Sequence, residues 1–147
     1  MFTALACDMV IASEKARFGT AYIKIGLTPL GVSHILATAI GYARAYELCA
    51  LGDTIDQSQA LALGLINKIV SHDALGQEAK TLALRLAAGP PRALAFTKQI
   101  LRRSIRADLE EHLLLGEAIQ PLCLASEDHK EAIQAFRDKR KPTFTGL

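Results

Sequence analysis

The chain has 147 residues, half of them hydrophobic, with 17 Lys and Arg against 15 Asp and Glu for a formal net charge of +2. That composition supports one domain-sized core and gives no basic footprint for nucleic acid. Lys24, Arg44, Glu47 and later charges keep every apolar run below the roughly eighteen residues that mark a membrane span. No positive residue precedes the short apolar start, as a signal peptide would require, so a soluble, cytoplasmic protein is expected.

Cys7, Cys49 and Cys123 are widely spaced and form no C-x-x-C. Neither a disulfide framework nor a metal site is suggested, and buried, inert thiols are expected. Residues 2–6 suit the remainder of a helix, and Met9-Val10-Ile11-Ala12 reads as a short buried strand. A charged, helix-favouring run from Ser13 to Arg17 then meets Phe18-Gly19, and a strand-like apolar segment stops at Gly26. Pro29 and Gly31 demand a sharp turn. Ser33 is placed to cap a helix with Ile35, Leu36, Ala39 and Ile40 on one side and Gly41 at its end. A strand-like segment, a Pro/Gly loop and a helix N-terminus can form a pocket wall whose free N–H groups face a ligand; the competing reading is a plain connection.

Gly41 to Leu51 carries small and apolar residues at helical spacing. Asp56 with Gln59 forms a capping-box pattern for a helix through Ala60 and Leu63 that ends at Gly64. Leu65 to Val70 reads as a strand. Asp73 is expected to cap a long helix with Leu75, Ala79, Leu82 and Leu86 as its stripe and Gly89 at its close. Strand and helix thus alternate through residues 1–89, an α/β pattern, whereas residues 90–147 show no strand signal and read as a helical module.

In that module Pro91 suits the first turn of a helix running to about Ser104. Every charged side chain between Glu78 and Asp108 is positive, and acids dominate the stretch that follows, so neighbouring helices can pair along their flanks. Leu113 to Leu115 and Ile119 to Leu124 form an apolar face suited to another subunit or to the core. Pro121 should kink or restart its helix, and Ser126 should cap a last helix through Phe136.

The order Cys7-Asp8, S-E-K-A-x-F-G, G-L-T-P, A-x-E-L, G-L-I-x-x-I and the closing A-F-x-x-K-R-K-P-x-F resembles the enoyl-CoA hydratase/isomerase (crotonase) family. The likeness runs from Cys7-Asp8 to Phe144. It implies the C-terminal part of a crotonase-like ββα spiral core over residues 1–89, followed by a helical module over residues 90–147 serving oligomerisation and coenzyme A capping. The implied substrate is an acyl-CoA thioester of fatty acid metabolism, with coenzyme A arriving as part of the substrate, no separate cofactor and no metal. The implied assembly is a homo-oligomer, a trimer or a hexamer. The family is nearly twice this long, and its glycine-rich oxyanion loop would fall just before Met1, so a truncated protein is expected.

Hydrating an enoyl thioester takes one group to activate water, another to deliver a proton to the α-carbon, and paired N–H donors for the developing oxyanion. Family hydratases use two glutamates, and by position Phe2 and Tyr22 stand in their places. Isomerases and dehalogenases of the family carry an acid just after the position of Pro29, where Leu30 is found, followed by Gly31. Phe2, Tyr22, Leu30 and Gly31 are therefore the candidate substrate pocket, with no catalytic residue expected. Tyr22, a phenol of pKa about 10, is a poor base at neutral pH, and His34 reads as a surface or capping histidine. The resemblance further assigns Phe136 and Lys139 to coenzyme A, often in a neighbouring subunit's site. An aromatic face can stack and a flexible ammonium meets a phosphate as a point charge. The competing reading puts Phe136 in the core and the lysine on the helix macrodipole. The function implied is an enoyl-CoA hydratase/isomerase-like protein, inactive as an isolated chain; the alternative is a non-catalytic assembly module for full-length family members.

Overall fold

The computed structural model describes residues 1–89, 94–98, 101–102, 114, 117, 120–122 and 124–144. Helix α1 (Phe2–Leu5) leads into strand β1 (Ile11–Ser13), which pairs in parallel with β4 (Lys68–Val70), Ile11 opposite Lys68 and Ser13 opposite Val70. Just before the ladder, Val10 N–H donates to Asn67 Oδ1 at 2.7 Å and Asn67 N–H donates to Val10 C=O at 2.8 Å. Strand β1 starts two residues later than the expected Met9 and ends one residue past Ala12. Strand β4 is only the end of the Leu65 to Val70 run, because Leu65 and Ile66 turn into the core before the pairing begins.

A parallel pair needs a long crossover, and here the crossover is most of the domain. The run from Ser13 to Arg17, expected to favour helix, instead reverses the chain: Ser13 Oγ accepts from Lys15 N–H at 3.1 Å and Ser13 C=O from Ala16 N–H at 2.9 Å. Strand β2 (Arg17–Gly19) then pairs antiparallel with β3 (Thr54–Asp56), placing buried Phe18 opposite buried Ile55. The strand-like segment before Gly26 is a 3₁₀-helix, Ala21–Ile25. Thr20, fully buried ahead of it, donates its hydroxyl to Leu48 C=O at 2.8 Å, and Gly26 closes it at φ 70°.

Helix α2 (Val32–Ile40) starts earlier than a Ser33 cap would have it. Gly31, at φ 75°, is the N-cap, no side chain caps the helix, and Ser33 lies inside the first turn. Val32 and Leu36 point into the core and are almost wholly inaccessible. Gly41 separates α2 from α3 (Tyr42–Leu51), the two helices packing on each other. Gly52 ends α3 at φ 65°; a Cβ there would sit 2.7 Å from Ile23 Cγ2, so α3 and the 3₁₀-helix approach closely only because this side chain is absent. Helix α4 (Gln57–Ala62) has the expected capping box: Asp56 Oδ1 accepts from Gln59 N–H at 2.8 Å, and Gln59 Oε1 accepts from Asp56 N–H at 3.0 Å.

Helix α5 (Leu75–Ala87) packs on β1 but begins after Ala74 with no side-chain cap, in place of the expected Asp73 cap. It has no fully buried residue. Leu75 and Leu82 are half-buried, while Ala79 and Leu86 are exposed. Helix α6 (Glu127–Arg137) starts at Ser126 as predicted, the Ser126 hydroxyl accepting from His129 N–H at 3.1 Å. The core comprises Ala12, Phe18, Val32, Leu36, Ala45, Leu48, Ile55, Ala60, Leu65 and Ile66.

Beyond α5, residues 94–98 and 101–102 are helical, within the helix expected from Pro91. Their charges meet the front of the chain: Asp8 accepts from Lys98 and, at 3.1 Å, from Arg102 Nη2. The hydrogen bond from Lys98, followed by the charge of both cations, holds the Asp8 carboxyl below its ordinary range. Pro90, Pro91, Ser104, Leu113, Leu115, Ile119 and Cys123 lie outside the described residues. Of the expected buried thiols, Cys7 is exposed and Cys49 half-buried, with burial pushing the Cys49 thiol up. Among the described residues, no helix is long and apolar enough to cross a membrane, and no group of His, Cys, Asp and Glu is placed to hold a metal ion.

Candidate functional site

Tyr22, Leu30 and Gly31 fall on one continuous stretch, the 3₁₀-helix and the loop that delivers the chain to α2. Tyr22 is 40% and Leu30 36% exposed, while Gly31 is buried. Phe2 opens α1, which packs against α2. No Asp or Glu occurs from Thr20 to Ser33, so this wall offers apolar surface, a phenol and backbone groups, and no general base of ordinary strength. His34 is half-buried in the first turn of α2, deeper than a surface histidine.

The loop is anchored from two sides. On one side, Thr20 is bonded to α3 and Lys24 Nζ lies 3.4 Å from Asp53. On the other, the N-terminal turn of α6 grips it: His129 donates Nδ1–H to Ile25 C=O at 2.9 Å, which fixes its tautomer. Gly26 packs so tightly that a Cβ would stand 3.3 Å from His129 N. Thr28 donates its hydroxyl to Gln120 Oε1 at 2.6 Å. Sequence reasoning missed His129, because a histidine in the first turn of a capped helix carries no mark of a partner 104 residues away.

At the other end of α6 the two tail residues are brought close by backbone geometry. Lys139 N–H bonds to Phe136 C=O at 3.3 Å and Arg140 N–H to Ala135 C=O at 3.0 Å, the paired bonds of a Schellman turn. The left-handed position of that turn, usually glycine, is Lys139 at φ 54°. Phe136 is 79% exposed, which corrects the reading that put it in the core; the buried residues of α6 are Ala132 and Ala135. An outward aromatic and an ammonium within one turn can receive a planar base and a phosphate.

Glu131 and Arg140 complete this end. Arg140 donates Nη1–H to Oε1 at 2.6 Å and Nη2–H to Oε2 at 2.8 Å, and Thr143 N–H adds a bond to Oε1 at 3.0 Å. The Arg140 bonds, then the Thr143 amide, hold the Glu131 carboxyl down to about 2, and Glu131 in turn pushes the Arg140 guanidinium up. This pair was also missed. Arg140 lies past the helix end, so its contact with a residue nine positions back follows no helical spacing. Glu131, Gln134 and Thr143 also line a polar depression on α6 that none of Tyr22, Leu30 or Gly31 borders.

The profile of the enoyl-CoA hydratase/isomerase family matches residues 1–147. A putative enoyl-CoA hydratase of Thermus thermophilus is 38% identical over 96% of this chain and 56% of its own length. A probable enoyl-CoA hydratase of Mycobacterium bovis is 36% identical over 97% of this chain and 56% of its own. Among solved structures, carnitinyl-CoA hydratase from Mycobacterium avium superposes with a TM-score of 0.92 at 32% identity, covering 98% of this chain and 57% of that one. An enoyl-CoA hydratase/isomerase from Pseudoalteromonas atlantica gives 0.91 at 32% identity. The chain therefore spans about half the length of these relatives, with the crotonase fold over the part it shares. The profile match runs through both ends of α6 and the Tyr22 loop alike, and on it we conclude that the chain belongs to the enoyl-CoA hydratase/isomerase family.

Proposed function

We propose that this chain binds an acyl-CoA thioester through the turn at the end of α6 and the Tyr22 loop, and that by itself it turns over no enoyl-CoA. The observation that carries the binding half is the outward Phe136 ring one turn from a lysine held at positive φ. Phe136 and Lys139 would take the adenine and a phosphate of coenzyme A, and Phe2, Tyr22, Leu30 and Gly31 would line the acyl end. The catalytic half rests on chemistry. Acid/base groups contribute ~100-fold to 10,000-fold, and Tyr22 and Leu30 stand where the family's acids are expected. A cytoplasmic setting and a homo-oligomer, trimer or hexamer, in which a tail serves a neighbouring site, belong to the same reading.

The test is a titration with free coenzyme A beside an assay of conjugated thioester absorbance. Lys139→Ala should weaken coenzyme A binding ~5-fold to 20-fold, the scale of a charge-assisted contact, and Arg137→Ala much less. Equal losses would replace the site with a diffuse charge effect. Enoyl-CoA loss above the buffer rate would sink the claim of inactivity. A second reading, an assembly module for full-length relatives, is favoured by one observation: α5 has no fully buried residue and leaves Leu84 60% exposed. Association with a full-length relative without coenzyme A binding would select it.

A further inference from the structure

The tail run Lys139-Arg140-Lys141 offers three adjacent cations, yet the structure treats them unequally. Arg140 is engaged on both faces, by the Glu131 fork and by Asp138 Oδ2, 3.5 Å from its Nε. Asp138 is itself held by Gln134 Nε2 at 3.0 and 3.1 Å. Lys139 thus lies between two anchored neighbours, and beyond them Thr143 N–H ties the returning chain to the same Glu131 carboxylate. A left-handed lysine costs roughly 1–2 kcal/mol and persists where its surroundings fix it. Those surroundings converge on one side chain, Glu131, which is only 26% exposed despite its charge.

We propose that Glu131 is a positioning residue for phosphate recognition by this tail: by engaging Arg140 and Thr143 it fixes the turn that presents Lys139, and it removes Arg140 from competition for the anion. Glu131 touches no ligand in this account and acts through Lys139. The inference rests on the coenzyme A reading above. A further consequence is selectivity: with Arg140 held by Glu131, a lysine presented one turn from an exposed aromatic residue favours a nucleotide-linked phosphate, whereas a tail with Arg140 released would take polyanions more readily.

The experiment titrates the full chain with free coenzyme A and, separately, with inorganic pyrophosphate. Glu131→Gln should weaken coenzyme A binding ~3-fold to 10-fold, the modest scale of an exposed but bidentate ion pair, and should strengthen pyrophosphate binding by freeing Arg140. In a Lys139→Ala background the same change should have no further effect on coenzyme A, a non-additivity that a merely structural role would not produce. Exchange of the Arg140 amide should accelerate in Glu131→Gln. If Glu131→Gln loses its helical signal, Arg140→Lys decides instead, since it keeps the charge, removes the fork and should lose coenzyme A affinity to the same degree. Wild-type protein that binds coenzyme A with Glu131→Gln as tight or tighter would overturn the positioning role alone. Wild-type protein that binds no coenzyme A would overturn this inference together with the reading beneath it.

Discussion

Glu131 accepts three hydrogen bonds on two oxygens, and its acidity follows from them. Arg140 and the Thr143 amide stabilise the carboxylate, so its folded value, about 2, lies below the ordinary 4.5 of a glutamate. The sign of the linkage is fixed by that order. The clamp is complete above the ordinary value and is lost as pH falls through about 2. The Thr143 amide should therefore remain protected from exchange at pH 4 and lose protection on acidification toward pH 2, while Glu131→Gln should show weak, pH-independent protection over the same range. Protection lost already near pH 4.5 would mean that the fork is open in solution. At this scale residue types are readable from the sequence, but little of their partners is. The tail motif marks Phe136 and Lys139, but neither the exposure of the ring nor the positive φ of the lysine is written in a motif. His129 and Glu131 were silent because each meets a partner outside its own helical face.

Helix ends were the most readable elements where the cap is a side chain. Asp56 with Gln59 and Ser126 both act as their patterns predict, since an oxygen one residue ahead of a helix can reach little other than the first-turn amides. The caps misread at Ser33 and Asp73 belong to helices that the backbone alone opens, after Gly31 at φ 75° and after Ala74. Strands β2 and β3 escaped notice because each is three residues long with one buried apolar side chain, Phe18 or Ile55, too few to display a period of two. The end of α6 makes a prediction of its own. Lys139→Gly would relieve the left-handed penalty of ~1–2 kcal/mol at the entropic cost of ~0.5–1 kcal/mol that glycine carries. Urea unfolding should show a gain of about 0.5–1 kcal/mol alongside a loss of coenzyme A affinity. A destabilised variant would mean that the lysine side chain itself holds the turn.

Across the whole molecule the α/β character and the family were legible, because motif order spans the chain, whereas the sheet topology was not. The described residues form two sheets of only two strands each, and such pairs seldom stand alone. The same described residues leave apolar side chains in solvent: Leu84 on α5, Tyr42 77% exposed and stacked on Tyr46 at 5.8 Å, and Leu51 58% exposed. The isolated chain should therefore run as oligomers in sizing at micromolar concentration, and a monodisperse monomer with one cooperative calorimetric transition would refute that expectation. The reciprocal bonds between Val10 and Asn67 carry a last consequence. They join positions 57 residues apart in the chain, so pairing β1 with β4 carries a loop-closure entropy cost that grows with that separation. Refolding from denaturant should then be slow for a chain of this helical content. During synthesis Ile11 would wait for its Lys68 partner until 57 further residues have emerged.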